Sequence, residues 1–302
     1  MNKKILVIYY SQTGQLKEIA QNLMKPFEGS KEYEVNYYNV QPVTDFPFPW
    51  SNAAFFGAFP ESFQQIPVDI QPPPAHILQQ DYDLIILAYQ IWFLTPSIPM
   101  NSFMESEYAT SLLKGKKVVT VIGCRNMWAK AQNKMKCLIE SKEGKLVGNV
   151  AFVDRHLNHI SVITIVHWMM GGRKDKKFGI FPQPGVSEKD IKNASFFGKL
   201  IKKAIEKNNY DGLQTEIINS GGADIKPFLI FMDEKANKMF SVWSTFILKK
   251  SKNRTIKLKL FKIYLITAIW LISPIVYLLF VLTYPLRLKQ IRNKKKFYSG
   301  VN

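Results

Sequence analysis

A doubly wound α/β fold, five parallel strands covered by helices on both faces, is what this 302-residue chain predicts. Three observations carry the prediction. Apolar, β-branched runs alternate with helical stretches through the first two thirds of the chain, the pattern of a parallel sheet with crossover helices. The first run, Ile5, Leu6, Val7, Ile8 and Tyr9, is apolar without alternation, as a strand covered on both faces must be. Between that run and the first helix stand Ser11, Gln12, Thr13, Gly14 and Gln15, a small polar loop of the kind that cradles an anion at a helix N-terminus.

The elements follow in order. Strands are expected at residues 4–10, 33–40, 84–89, 117–123 and 147–153, and helices over 15–24, near 100–113, near 129–141 and over 187–206. The first helix shows its buried stripe directly, with Leu16, Ile19, Ala20, Leu23 and Met24 at helical spacing. Ligands of such sheets sit beyond the carboxyl ends of the strands. The loops that matter are therefore 11–16, 41–66, 90–99, 124–129 and 154–185. Residues 1–210 make up this domain, and 211–262 read as a linker and basic amphipathic region.

Charge is distributed unevenly. The formal net charge is +18, but from residue 246 onward there are 13 Lys and Arg and no acid, leaving 28 basic against 23 acidic side chains before it. The excess thus belongs to the C-terminal segment and argues against a nucleic-acid-binding domain. Residues 263–286 form a run of 24 residues without a charged side chain. Lys249, Lys250, Lys252, Arg254, Lys257, Lys259 and Lys262 precede it, and a basic tail, 287–302, follows. About 20 apolar residues suffice to cross a bilayer. With Pro274 mid-run and basic clusters at both ends, either a span or a dip into one leaflet is compatible, and membrane association is expected. Two cysteines, Cys124 and Cys137, and four histidines give no disulfide framework and no metal-ligand spacing. The opening MNKKILVIYY reads as a strand rather than a cleavable leader.

The ligand-end loops are rich in aromatics. Residues 45–67 hold six Phe, one Trp and four Pro, and residues 156–185 join an apolar run to a basic one. Long aromatic loops at this end suggest a greasy pocket, with Trp50, Phe55, Phe56, Phe59 and Trp128 as candidate walls. His156 and His159 directly follow the fifth strand and are candidate general bases.

The loop Ser11-Gln12-Thr13-Gly14-Gln15 resembles the S-x-T-G-x-T phosphate loop of the flavodoxin family, with Leu16 where that family usually has a second threonine. The stretch YDLIILAYQIWFLTPSIPMNSFME is similar to the flavin-ring loop of flavodoxins and flavodoxin-like quinone reductases. The resemblance implies a flavodoxin-like fold and FMN. Ser11, Gln12, Thr13, Gly14, Gln15 and Leu16 would wrap its phosphate, and Gln90, Ile91, Trp92 and Phe93 would border its ring. Trp92 or Phe93 can stack on that ring, while Arg125 and Asn126 would face it. Over nearly its full length the chain resembles the dialkylresorcinol condensing enzymes of aryl-polyene and flexirubin-type pigment pathways. That likeness rests on KILVIYYSQTGQL, FPFPW, AFPE, YQIWFLTPSIP and the hydrophobic basic tail. It implies an FMN-dependent oxidoreductase that aromatises a dialkyl-cyclohexanedione to a dialkylresorcinol. It further implies a ketosynthase partner, membrane lipid around the tail, and a place on the cytoplasmic side of the inner membrane. A membrane-associated NAD(P)H:quinone oxidoreductase and a flavodoxin-type electron carrier are the competing expectations.

Overall fold

The structure, a computed structural model, describes residues 2–249 and 253–301; Lys250 and Lys252 of the basic flank lie outside them. β1 (Lys3–Tyr9) leads through a tight loop into α1 (Gln15–Met24), and β2 (Tyr33–Asn39) returns parallel to β1. Two short helices follow, α2 (Asn52–Gly57) and α3 (Phe59–Phe63), then the single turn α4 (Ala75–Leu78). β3 (Leu84–Trp92) pairs with the other side of β1 and ends in a two-residue antiparallel return, β4 (Thr95–Pro96). Next come α5 (Ile98–Glu105), α6 (Glu107–Leu113), β5 (Lys117–Cys124), α7 (Ala129–Ser141) and β6 (Lys145–Val153).

The strand order is β2-β1-β3-β5-β6, all parallel, with β4 appended to β3. This is the flavodoxin-like doubly wound order, and its crevice opens where the winding reverses, between β1 and β3. Ile5 to Ile8 and Leu84 to Tyr89 are fully buried, so both faces of the central strands are covered, which is why their sequences do not alternate. The helix expected near 100–113 is divided at Ser106. Its extended backbone ends α5, and its hydroxyl accepts the Ala109 N–H to cap α6.

Three later segments depart from expectation. Residues 158–171, read as loop, form the helix α8 (Asn158–Gly171); the segment is apolar nearly all round, so no stripe marks it. After α9 (Glu188–Glu206) comes α10 (Leu213–Asn219), which buries Leu213 and Ile217 against β6. Residues 213–225 are thus part of the fold's wall rather than linker. α11 (Pro227–Leu248) then packs along α3 and α7.

The hydrophobic run lies within one continuous helix, Arg254–Thr283. It comprises α12 (Arg254–Thr267), a π-turn at Ala268–Ile272 and α13 (Ser273–Thr283). The wide turn lies just ahead of Pro274, which cannot donate to the helical ladder. This helix runs antiparallel to α11. Phe240 and Trp243 stand 5.5 and 5.8 Å from Phe261 near one end, and Phe228 is 5.4 Å from Phe280 near the other. Phe261 is completely buried and stacks on Phe59 at 3.7 Å. The basic tail is not free either. α14 (Leu288–Ser299) returns to the domain, where Lys294 pairs with Glu234 and Lys295 with Asp224. There the Tyr298 hydroxyl donates to Glu234, and the Gln214 side chain donates to the Ser299 carbonyl. The C-terminal segment is therefore folded onto the domain, not appended to it.

Candidate functional site

At the carboxyl ends of β1, β3 and β5 lies a cavity of about 610 Å³. The loop after β1 forms its floor. Gly14 takes a left-handed φ of 83° as the N-cap of α1, and no side chain caps the helix from that position. The Ser11 hydroxyl accepts the Lys17 N–H at 3.2 Å, a local cap that still leaves its own proton to donate. Gln12, Thr13, Gln15 and Leu16 reach the cavity wall, while Ser11 and Gly14 shape the loop behind them.

Both loop glutamines hold covering segments. Gln12 accepts from the Trp50 indole N–H at 3.0 Å and donates to the Pro47 carbonyl at 2.9 Å, drawing the aromatic loop over the floor. Gln15 donates to the Val186 carbonyl at 3.1 Å and accepts the Val186 N–H at 3.0 Å, two bonds in the manner of a strand pair. The chain passes so close here that a Cβ on Gly185 would lie 2.7 Å from both Gln15 and Trp168. Gln15 thus serves as a clasp rather than a freely offered ligand.

The end of β3 supplies the flat wall. Gln90, Ile91, Trp92 and Phe93 all border the cavity. Trp92 meets Phe46, Trp50 and Tyr10 edge to face at 5.0, 5.3 and 5.9 Å. Phe93 and Leu94 both adopt left-handed backbone, with φ of 48° and 67°, to turn β3 back into β4. Neither is glycine, so the turn stores strain on the order of 1–3 kcal/mol per residue. Thr95 and Ser62 hold it: the Thr95 hydroxyl lies 2.8 Å from the Trp92 carbonyl and 2.9 Å from the Ser62 carbonyl, and the Ser62 hydroxyl 3.2 Å from the Trp92 carbonyl.

The loop after β5 brings in charge and an unmatched polar atom. Arg125 donates to the Asn158 side chain at 2.8 Å and to its carbonyl at 3.2 Å; burial pulls its pKa down, and Asp154 behind it pulls the other way. Asn126, only 8% exposed, donates to Asn158 at 3.0 Å, but its own carbonyl oxygen is buried without a partner. A native protein rarely leaves such an acceptor empty. The neighbouring Cys124 thiol is held well above its usual range by burial, so it stays protonated.

Of the pocket candidates, Trp50, Phe55 and Phe56 line the cavity. Phe59 and Trp128 do not. Phe59 is wholly buried under Phe261, and Trp128 is 1% exposed in the main core at the start of α7. The two histidines also lie elsewhere. His156 borders a separate surface depression and is 2.6 Å from Asp154, whose side chain is completely buried. His159 is 3.1 Å from the Ile269 carbonyl and packs against Trp270. Among the described residues that form the cavity wall there is no Asp, Glu or His; the charged ones are Arg125, Lys177 and Lys262.

Two further walls complete the cavity. One is α8, through Val162, Ile165, Val166, Trp168 and Met169, within the 156–185 segment expected at the ligand end but as a helix rather than a loop; the other, not expected, is the tail helix, through Leu265, Ile266, Ile269 and Trp270. The uninterrupted apolar character of 158–171 was the only local signal for the first. Nothing local announces that residue 266 meets residue 92 across one cavity.

No protein-family model matches the sequence, and no curated protein does. Among solved structures, a protein of Bacteroides eggerthii assigned as a flavoprotein is 20% identical; the match covers 51% of this chain and 91% of that one, with a TM-score of 0.40. A Lactobacillus acidophilus flavoprotein in complex with FMN is 17% identical over 49% of this chain and 93% of its own, TM-score 0.37. An oxidised Bacillus cereus flavodoxin is 17% identical over 65% and 95%, TM-score 0.34. At such distances these likenesses add nothing to what the strand order itself says.

Proposed function

We propose that this chain binds FMN at the β1/β3 crevice and dehydrogenates a lipophilic cyclic substrate, aromatising a dialkyl-cyclohexanedione to a dialkylresorcinol. The single observation that carries the flavin assignment is that the loop at Thr13, the strand end at Gln90 to Phe93 and Asn126 meet in one cavity at the β1/β3 crevice. The Asn126 oxygen, closed off from solvent and without a partner among the described residues, would accept the imide N–H of an isoalloxazine once its side chain turns toward the cavity. The start of α1, where only the Lys17 N–H is taken by the Ser11 hydroxyl, and the Thr13 hydroxyl suit the phosphate, and Trp92 offers a flat face for the ring. Bound there, the flavin would supply the hydride acceptor.

The protein's part is binding, orientation and exclusion of water. The wall away from the flavin loop is apolar, formed by Val162, Val166, Met169, Ile266 and Ile269, and suits alkyl chains. A wall without Asp, Glu or His among the described residues lacks the commonest general bases, which favours a substrate that ionises by itself. A 1,3-dione does so as its enol. Loss of one ring hydride and one ring proton then yields the aromatic diol, and Arg125, Lys177 and Lys262 provide the positive surroundings an enolate prefers.

The test begins with the purified protein, which should be yellow and release FMN on acid treatment. Asn126→Leu removes the matched acceptor and should weaken FMN binding by about tenfold, the worth of one buried hydrogen bond. Under anaerobic conditions the cyclohexanedione should bleach the protein in a single turnover and give the resorcinol. Rapid bleaching by NADH or NADPH, with none by the dione, would instead identify a quinone oxidoreductase.

A further inference from the structure

The tail helix is long enough to cross a bilayer, about 45 Å for 30 residues, yet the chain is fastened to the domain at its start and just beyond its end. At its start, Arg254 binds Glu61 and the Gly57 carbonyl. Beyond its end, α14 returns to Glu234 and Asp224 and buries Tyr298. If the helix spanned, α14 would stand about 30 Å of hydrocarbon away from the groups it pairs with. Spanning and this fold exclude each other.

One face of the helix is nevertheless bare. Ile256, Leu260, Ile263, Leu271, Ile275, Leu278 and Leu282 are each between 47% and 75% exposed and recur at intervals of three, four and, across the π-turn, eight residues. α11 and α8 extend the patch with Val242, Phe246 and Val166. From residue 246 to the end there is no acid, and Lys249, Lys259, Lys289 and Arg292 are exposed in the same region of sequence. An apolar stripe on a segment whose own charged side chains are all cations complements an anionic lipid surface. Val166, Ile266 and Trp270 are each nearly half exposed and also line the cavity, so its mouth opens within this patch.

We propose that helix 254–283 lies flat in the boundary between headgroups and acyl chains of an anionic bilayer, with the cavity mouth turned into the lipid. A substrate would then enter sideways from the membrane without crossing water. That the entrant is lipophilic rests on the function proposed above; the position of the helix does not.

The test uses the full chain added to the outside of sealed phosphatidylcholine vesicles, with and without phosphatidylglycerol. The protein should float with the anionic vesicles. In a Cys137→Ser background, Arg292→Cys should still react fully with an impermeant maleimide on vesicles, more slowly than in solution, because it stays on the outer side. Leu278→Asn with Leu282→Asn should weaken binding at least about tenfold with an unchanged melting temperature, since both residues are exposed. Leu286→Asn, at a position 88% exposed, is a milder variant that cannot disturb the fold and should weaken binding to a lesser degree. Quenching of tryptophan by lipids brominated near the headgroup should exceed quenching by tail-brominated lipids, and the difference should shrink in Trp270→Phe. Failure to float, complete protection of Arg292→Cys, undiminished binding of the asparagine variants, or stronger quenching from the tail would each overturn the proposal. FMN content, measured without vesicles, reports separately on the flavin assignment.

Discussion

Gly198→Ala sets two effects against each other and lets the structure choose. Gly198 lies inside α9, where alanine is ordinarily the better residue by about 0.5–1 kcal/mol. Here α9 crosses α1 so closely that a Cβ at residue 198 would sit 1.9 Å from the carbonyl oxygen of Leu23. The obstacle is backbone, so no rotamer can relieve it; one helix must retreat by at least 1.1 Å merely to reach 3.0 Å. Overpacking of this sort costs about 1–3 kcal/mol, and a clash with main chain belongs at the upper end. Net destabilisation of about 2 kcal/mol is expected after the propensity gain. Because α1 begins at the Gly14 loop, the displacement should also weaken FMN. Urea unfolding of the two proteins, with a fluorescence titration of FMN into each, measures both effects. A neutral or more stable Gly198→Ala would refute the close crossing, and with it the placement of α9 over α1.

Other perturbations probe other parts of the molecule. Asp233 is buried between α11 and α7, accepts the Lys130 N–H at 3.0 Å and bonds Asn237 at 2.9 Å; burial raises its pKa from 3.8 to about 7. A carboxyl whose folded pKa is raised contributes most below pH 3.8, and stability falls as pH climbs from there through about 7, by up to ~4 kcal/mol. Asp233→Asn should flatten that slope and stabilise the protein at pH 8; an unchanged slope in thermal melts across this range would contradict it. Phe261→Ala should cost about 3–5 kcal/mol, because it empties the centre of the cluster joining α3, α11 and α12. A loss below about 1 kcal/mol would mean that the tail helix is an appendage after all. Trp92→Ala should slow bleaching by the dione by about tenfold or more while costing less in FMN affinity, since in the proposed binding mode the loop at Gly14 would still hold the phosphate; equal losses in both would place Trp92 in cofactor binding alone.

The sheet was legible because its signals are local. Ile5 to Tyr9 or Leu84 to Tyr89 can only be strands covered twice, and the stripe from Leu16 to Met24 marks α1 to the residue. That the loop at Gln12 to Leu16 and the stretch Gln90 to Phe93 would border one cavity followed from their positions at strand ends. What stayed hidden depends on direction and distance. Trp128 stands two residues beyond Asn126, yet it turns into the core while Asn126 faces the cavity, and composition cannot tell those orientations apart. Phe59 finds its partner Phe261 some two hundred residues away, so an aromatic loop that looked like a pocket rim is partly a socket for the tail. The histidines followed a strand toward the ligand end but were diverted by Asp154 and by the tail helix.

The cation-only wall bears on which charge states can occupy the cavity. In a space lined mostly by apolar groups, the field of Lys177, Lys262 and the partly offset Arg125 is weakly screened. It acts as a filter on ionisation: a phosphate or a diketone that has shed its proton gains by entering, whereas an oxidised nicotinamide, positively charged, loses. A substrate that titrates should therefore bind as its anion, and its pKa inside the cavity should fall below its value in water. The same rule makes an uncharged resorcinol less attracted to the wall than the enolate it would come from, so turnover itself would discharge the contents and loosen the product's hold.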